Sequence, residues 1–199
     1  SYEILKKSKV EGNIYMTGNT VIDALKYVID NNLYSNDILK LEDKKYILAT
    51  VHRRENWGNN LNNICRAFKE LINQNRDFNL LLPLHPNKIV SKPIIDILGN
   101  HSRIKLVKPL RYLDLINALD NCYFILTDSG GLQEEAPAFG KPVLVVRDTT
   151  ERIEAIQQGT AKLLGTKQEM IYKEVKNLID NKNDYESMSK AINPYGDGK

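Results

Sequence analysis

The sequence predicts an α/β fold: an open, doubly wound parallel sheet, Rossmann-like, with helices on both faces. Three observations predict it. Short apolar runs alternate with amphipathic stretches along all 199 residues. Several of those runs, YFILTD (123–128) above all, lack polar alternation, so both of their faces are covered. Polar clusters stand directly behind three of them, HRREN, HPN and DSGG, at the edge where such sheets gather ligands.

In chain order, NIYMT (13–17) reads as a short strand. Asn19 can cap a helix running to about Asn31, with Ile22, Leu25 and Ile29 on one face. KYILATVH (45–52) is a buried strand, and Leu61, Ile64, Cys65, Phe68, Leu71 and Ile72 form a helical stripe. FNLLLPLH (78–85) is the next strand, followed by a helix to about Leu98 that is strained near Pro93. RIKLVKP (103–109) is a strand, and Leu113, Ile116, Ala118 and Leu119 mark a short helix. After YFILTD comes a helix over 131–139, kept short or kinked by Pro137. PVLVVR (142–147) and AKLLG (161–165) are strands, and Gln168 to about Ile192 is a helical tail. The start at Ser1 falls inside a helical stretch and suggests a fragment, although a removed initiator Met gives the same start.

Composition narrows the function. The chain is 42% hydrophobic, enough to bury a core. A formal net charge of +3 lacks the basic bias of a nucleic-acid binder. No apolar run approaches the roughly 18–20 residues of a membrane span, and no signal peptide is visible, so a cytoplasmic protein is expected. Cys65 and Cys122 lie far apart in apolar elements and read as buried thiols of a reducing compartment. His52, His85 and His101 do not cluster with them, so no metal site is expected.

In DSGG, Asp128 or Ser129 can cap the following helix, and Gly130 and Gly131 let a ligand approach the backbone. The first N–H groups of that helix lack intrahelical partners and suit an anion, though the same turn serves as a plain capped helix. Glu135 lies four residues beyond Gly131 on the same face. An ionised carboxylate only accepts hydrogen bonds, and vicinal ribose hydroxyls donate two. Glu134 reads as a solvated surface acid. In HRREN, His52 and the arginines can grip phosphate or form salt bridges with nearby acids. In RDTTER, Arg147 and Arg152 bracket Thr149 and Thr150; Thr150 reads as a helix cap, and one Arg is expected near the ligand. His101, in GNHSR, reads as a surface residue.

The ordered set T-x-HRREN-x-G, DSGG-x-QEEAP-x-x-G-x-P and RDTTER resembles the C-terminal half of the non-hydrolysing UDP-N-acetylglucosamine 2-epimerases. TGNTVIDAL (17–25) and NPYGDG (193–198) resemble that family too, so the resemblance covers nearly the whole chain. It implies one half of a GT-B architecture, in which two Rossmann-like domains face each other across a cleft. On this reading residues 1–16 connect the domains, 17–192 bind UDP, and 193–199 begin a truncated C-terminal return segment. The implied reaction interconverts UDP-GlcNAc and UDP-ManNAc by eliminating and re-adding UDP, without cofactor or metal. The resemblance implies His52 as the catalytic residue, near the diphosphate and sugar. It puts Ser129, Gly130 and Gly131 on the phosphates, Glu135 on the ribose and Arg152 beside the nucleotide. Arg53 and His85 match positions that bind a second, activating UDP-GlcNAc in bacterial members. This chain has HPNK where many members have HLNP, TERIE where TERPE is usual, and Leu115 where an aromatic residue often packs near the uracil. The acid–base carboxylates belong to the other domain, so this half alone is expected to be inactive and the parent enzyme a homodimer. The rival readings are the UDP-sugar half of a GT-B glycosyltransferase and a nucleotide-sugar-binding module without chemistry.

Overall fold

Strands without polar alternation need cover on both faces, and the computed structural model of the chain supplies it. The structure describes residues 2–8, 10–15, 18–33 and 45–198. Two helices, α1 (Tyr2–Lys7) and α2 (Thr20–Asp30), precede the sheet. Strand β1 (Lys45–Thr50) leads to α3 (Asn59–Gln74), β2 (Phe78–Pro83) to α4 (Lys88–Leu98), and β3 (Ile104–Val107) to α5 (Tyr112–Asn121). Then β4 (Phe124–Thr127) leads to α6 (Gly130–Glu135) and β5 (Val143–Val145) to α7 (Ile153–Gln157). Last, β6 (Ala161–Leu163) is followed by α8 (Gln168–Asp180) and α9 (Lys182–Ser189). Among the described residues six strands form one sheet, in the order β3-β2-β1-β4-β5-β6. Every pairing is parallel. This is the Rossmann-like order, and its direction reverses between β1 and β4, where the loops part and leave a crevice.

Alternate residues of each strand feed two separate cores. Ile47 and Ala49 of β1 join Leu80, Leu82, Phe124 and Leu126 beneath α3, α4 and α8. Tyr46 and Leu48 point the other way and join Leu81, Ile125, Val143 and Val145. The six-residue stripe of α3 is wholly buried against the first core. Tyr46 keeps its phenol satisfied inside the second core by donating to the Ala118 carbonyl at 2.7 Å. Cys65 and Cys122 are buried, and burial pushes both thiols up to about 12.

The structure corrects two readings, the strand at 13–17 and the single helical tail, and sharpens two others. Residues 13–15 form no strand: they pair with no strand among the described residues, and Tyr15 is 76% exposed; residues 16 and 17 lie outside the described residues. Helix α2 buries Ile22, Leu25 and Val28, and Ile29 is only half-buried. The tail is two helices, because the Asn181 side chain accepts from the Asn183 and Asp184 N–H groups and starts α9. The helix over 131–139 is α6 from Gly130 to Glu135, followed by a 3-10 turn over Ala136–Phe139 that carries Pro137. Helix α4 runs on through Pro93. No helix among the described residues is long and apolar enough to cross a membrane.

Candidate functional site

The site forms where β1 and β4 end side by side. Asp128 follows β4 and is fully buried. A buried carboxylate is tolerable only with donors around it. Its Oδ2 accepts from the backbone N–H of His52 at 2.9 Å, that of Arg53 at 2.8 Å and the Asn56 amide at 3.0 Å. Asn56 also donates to the Val146 carbonyl at 3.2 Å, which carries the link to the end of β5. The hydroxyls of Thr50 and Thr127 meet at 2.7 Å across the same strand pair. Asp128 Oδ1 makes no hydrogen bond but lies 3.3 Å from His52 Nδ1. The His52 ring stacks on His85, with centroids 6.0 Å apart and planes 9° from parallel. Ser129, not Asp128, is the cap of α6, its Oγ 3.5 Å from the Leu132 nitrogen.

Two guanidinium groups close over the start of α6. A Cβ built on Gly130 would lie 3.1 Å from Arg53 Nη2 and 3.5 Å from Arg152 Nη2. Each arginine is anchored through Nε: Arg53 donates to the Asp128 carbonyl at 3.2 Å, and Arg152 donates to the Glu134 carboxylate. Glu134 is therefore not a solvated acid. Its side chain is only 15% exposed, and it also accepts from the Asn19 amide.

Arg147 lies apart from this pair. It is 2% exposed and held by Glu55 at 2.5 Å and by both oxygens of Glu151 at 2.8 and 3.0 Å. The Arg147 hydrogen bonds hold the Glu151 carboxyl down at about 2. Thr150 does not cap a helix. Its hydroxyl donates to Gln133 Oε1 at 2.6 Å and accepts from the Arg152 N–H at 3.1 Å, while Arg152 itself is the residue before α7.

Beside the arginine pair a cavity of about 270 Å³ opens at the carboxyl edge of the sheet. His52, His85, Ser129, Gly131 and Glu135 give it a polar side, and Pro109, Leu110 and Leu115 an apolar wall. A Cβ on Gly131 would stand 3.4 Å from Glu135 Oε1, so the glycine keeps this strip of the cavity clear. Glu135 Oε2 is buried without a hydrogen-bond partner. Burial, and then the neighbouring Glu134 charge, raise the Glu135 carboxyl above its ordinary value. His101 is remote from all this; it pairs with Asn73 Oδ1 at 2.9 Å and accepts from the Arg103 N–H. It is half-buried, not a plain surface residue.

All of the sequence candidates thus gather at one edge: six of them line the cavity, and Gly130, Arg53 and Arg152 form the adjoining cluster. Sequence reasoning missed the supporting roles of Asp128, Asn56, Gln133, Glu134 and Asn19. One signal was available for Asp128, since an acid ending a fully apolar strand must be buried and partnered.

A family model described as UDP-N-acetylglucosamine 2-epimerase matches residues 2–199. The UDP-N-acetylglucosamine 2-epimerase of Escherichia coli (strain K12) is 44% identical over 206 residues, covering 98% of this chain and 54% of that protein. A UDP co-structure of MnaA from S. aureus is 49% identical, with a TM-score of 0.90, over 98% of this chain and 53% of that one. The UDP-GlcNAc 2-epimerase from Neisseria meningitidis bound to UDP-GlcNAc is 40% identical, with a TM-score of 0.91, over 98% and 55%. The chain spans about half the length of the curated relatives it matches.

Two predictions come from this geometry. Asp128→Ala strips the acceptor from three donors, and one charged hydrogen bond is worth about 1.5–3 kcal/mol. Urea unfolding is expected to show a loss of about 3 kcal/mol or more, and a smaller loss for Asp128→Asn, which keeps one acceptor; equal, negligible losses would remove the clamp. The second concerns Glu135. Its folded pKa lies above the ordinary 4.5, so ionisation opposes folding fully above the raised value and not at all well below 4.5. Glu135→Gln is expected to raise the thermal midpoint at about pH 7–8, with the gain vanishing as the pH falls below the ordinary carboxylate range. A gain independent of pH would mean that burial of the charge is not its source.

Proposed function

The chain belongs to the UDP-N-acetylglucosamine 2-epimerase family, and on that premise we propose that it is the UDP-binding, C-terminal half of an enzyme interconverting UDP-GlcNAc and UDP-ManNAc. The observation that carries the proposal is the set of groups gathered at one sheet edge. An apolar wall and a carboxylate with an unused buried oxygen line one cavity, and two guanidinium groups stand over the neighbouring glycine. A uracil, a ribose and a diphosphate, the parts of UDP, call for these three environments. The relatives solved with UDP and with UDP-GlcNAc support this choice of ligand.

The uracil packs against Pro109, Leu110 and Leu115. Glu135 accepts from the ribose hydroxyls. Ser129 and the backbone at Gly130 and Gly131 take the phosphates, with Arg152 and Arg53 alongside. His52, its Nδ1 turned to Asp128, offers Nε2 to the β-phosphate. Arg53 and His85 also remain the candidates for an activator, which would then lie against the reacting diphosphate.

The chemistry of this half is stabilisation of a leaving group. A base takes the C2 proton, the C2–H electron pair forms the C1=C2 bond, and the C1–O pair departs on the β-phosphate. Negative charge grows there as the bond breaks, and donors already in place lower the barrier without reorganising. The groups that move the C2 proton come from the facing domain of a GT-B enzyme, a cytoplasmic homodimer when whole. Closure of the cleft then shields the 2-acetamidoglucal from water.

Calorimetry tests the binding role: UDP is expected to bind roughly tenfold or more tightly than UMP, the worth of one lost charge-assisted contact. Equal affinities would take the phosphates away from the arginine pair. Glu135→Gln is expected to weaken UDP more than its 2′,3′-dideoxy analogue, since an amide keeps one good acceptor; equal weakening would return Glu135 to a structural role. The chain alone, incubated with UDP-GlcNAc in deuterated water, is expected to show no exchange at C2, because on this reading the acid–base pair comes from the facing domain. Exchange that persists through purification and disappears in His52→Ala would place the whole reaction in this half.

A further inference from the structure

We propose that Glu134 and Asn19 are positioning residues that aim Arg152 at the diphosphate. The proposal rests on the reading of the site given above and adds two residues to it. Arg152 is the cation on the α7 side of Gly130, with Nη2 3.5 Å from where a Cβ would stand. A long side chain, 33% exposed, would sample several rotamers there if nothing held it. Glu134 holds it, accepting from Nε on one carboxylate oxygen. The other oxygen accepts from the Asn19 amide, 115 residues earlier in the chain. Asn19 is itself fixed twice. Its Oδ1 accepts from the Val21 N–H at 3.1 Å as the cap of α2, and its own N–H donates to the Tyr195 carbonyl at 3.0 Å. The relay therefore runs from the junction of α2 with the C-terminal NPYGDG segment, through one carboxylate, to the guanidinium over Gly130.

Binding at Nε is what makes this an aiming device. A guanidinium gripped at Nε keeps its plane fixed while its outer nitrogens stay directed at Gly130, and planar, fixed donors are what bidentate phosphate recognition requires. The proposal also has a sign that simple electrostatics does not share. An acid near an anion site repels the anion, so on charge alone Glu134→Gln tightens UDP binding. If the acid acts by aiming Arg152, the same change weakens it.

The experiment is calorimetry of UDP and UMP binding to this chain and to four variants: Arg152→Ala, Glu134→Gln, the double variant and Asn19→Ser. Serine still caps α2 but is too short to reach Glu134. Thermal melts of each variant check folding. The expected results are a loss of about tenfold in UDP affinity for Arg152→Ala, roughly fivefold for Glu134→Gln and about threefold for Asn19→Ser, with UMP changed less than twofold. In the Arg152→Ala background, Glu134→Gln is expected to cost nothing more. Unchanged or tighter UDP binding in Glu134→Gln overturns the proposal. So does a weakening shared equally by UMP, or one that survives in the double variant. If Glu134→Gln does not fold, Asn19→Ser carries the same comparison alone. Failure of the parent chain to bind UDP at all would instead overturn the proposed function, which keeps the two outcomes distinct.

Discussion

The site depends on one buried carboxylate. Asp128 ends β4 with no solvent contact, and its Oδ2 gathers two backbone N–H groups and an amide from the loop behind β1. Those N–H groups belong to His52 and Arg53, the residues whose side chains face the crevice. The reversal of strand order puts β1 and β4 next to each other while sending their loops apart. Without a tie, that crevice would be the loosest part of the sheet edge. Each hydrogen bond to a charged acceptor contributes about 1.5–3 kcal/mol, but burying the carboxylate costs several kcal/mol as an uncompensated ion. The net gain in stability is therefore modest. What the clamp supplies above all is position: it sets where the backbone of His52 and Arg53 can be.

A second set of contacts sorts the arginines by job. Arg147 bonds through each of its three nitrogens to Glu55 and Glu151, so it fastens the HRREN loop to the RDTTER loop, and at 2% exposure it is closed to a ligand. Arg53 and Arg152 are tied only through Nε in the contacts that hold them, and both turn Nη2 toward Gly130. Gln133 joins the same framework from α6, donating to the Ser129 carbonyl at 3.1 Å and accepting from Thr150. Three loops from three strands thus reach the site as one unit, which is what a preorganised anion grip needs.

The sheet was legible because its strands are apolar on both faces, a pattern that few other arrangements produce. The stripe of α3 was legible for a similar reason, since six apolar residues at helical spacing leave little choice of face. NIYMT failed because β propensity reports only a fit to a half-buried surface, and no neighbouring strand covers residues 13–15. The tail looked like one helix because its apolar period continues across Asn181, and a cap made by a single side chain leaves that period intact. In the site, His52, Ser129, Gly131 and Glu135 were legible from their places behind strands. Glu134 was not. Its partners lie 18 and 115 residues away, and a lone acid beside another acid looks the same in sequence whether it is solvated or tied.

The placing of two acids inside an anion-friendly turn follows from helix geometry. Consecutive helical residues project about 100° apart, so Glu134 and Glu135 cannot serve the same surroundings. Glu134 turns to Arg152, and Glu135 turns into the cavity. A bidentate arginine is worth about 1.5–3 kcal/mol for each charge-assisted bond, so on the proposed reading an acid that orients an arginine strengthens the grip it seems to oppose. Glu135 meets the other half of the problem. Burial, with Glu134 beside it, makes its ionised form costly, and a ligand that brings two hydroxyl donors to the unused oxygen relieves that cost on binding. On the proposed reading, the same pair of acids favours a ligand with a phosphate at one end of the helix turn and vicinal hydroxyls at the other.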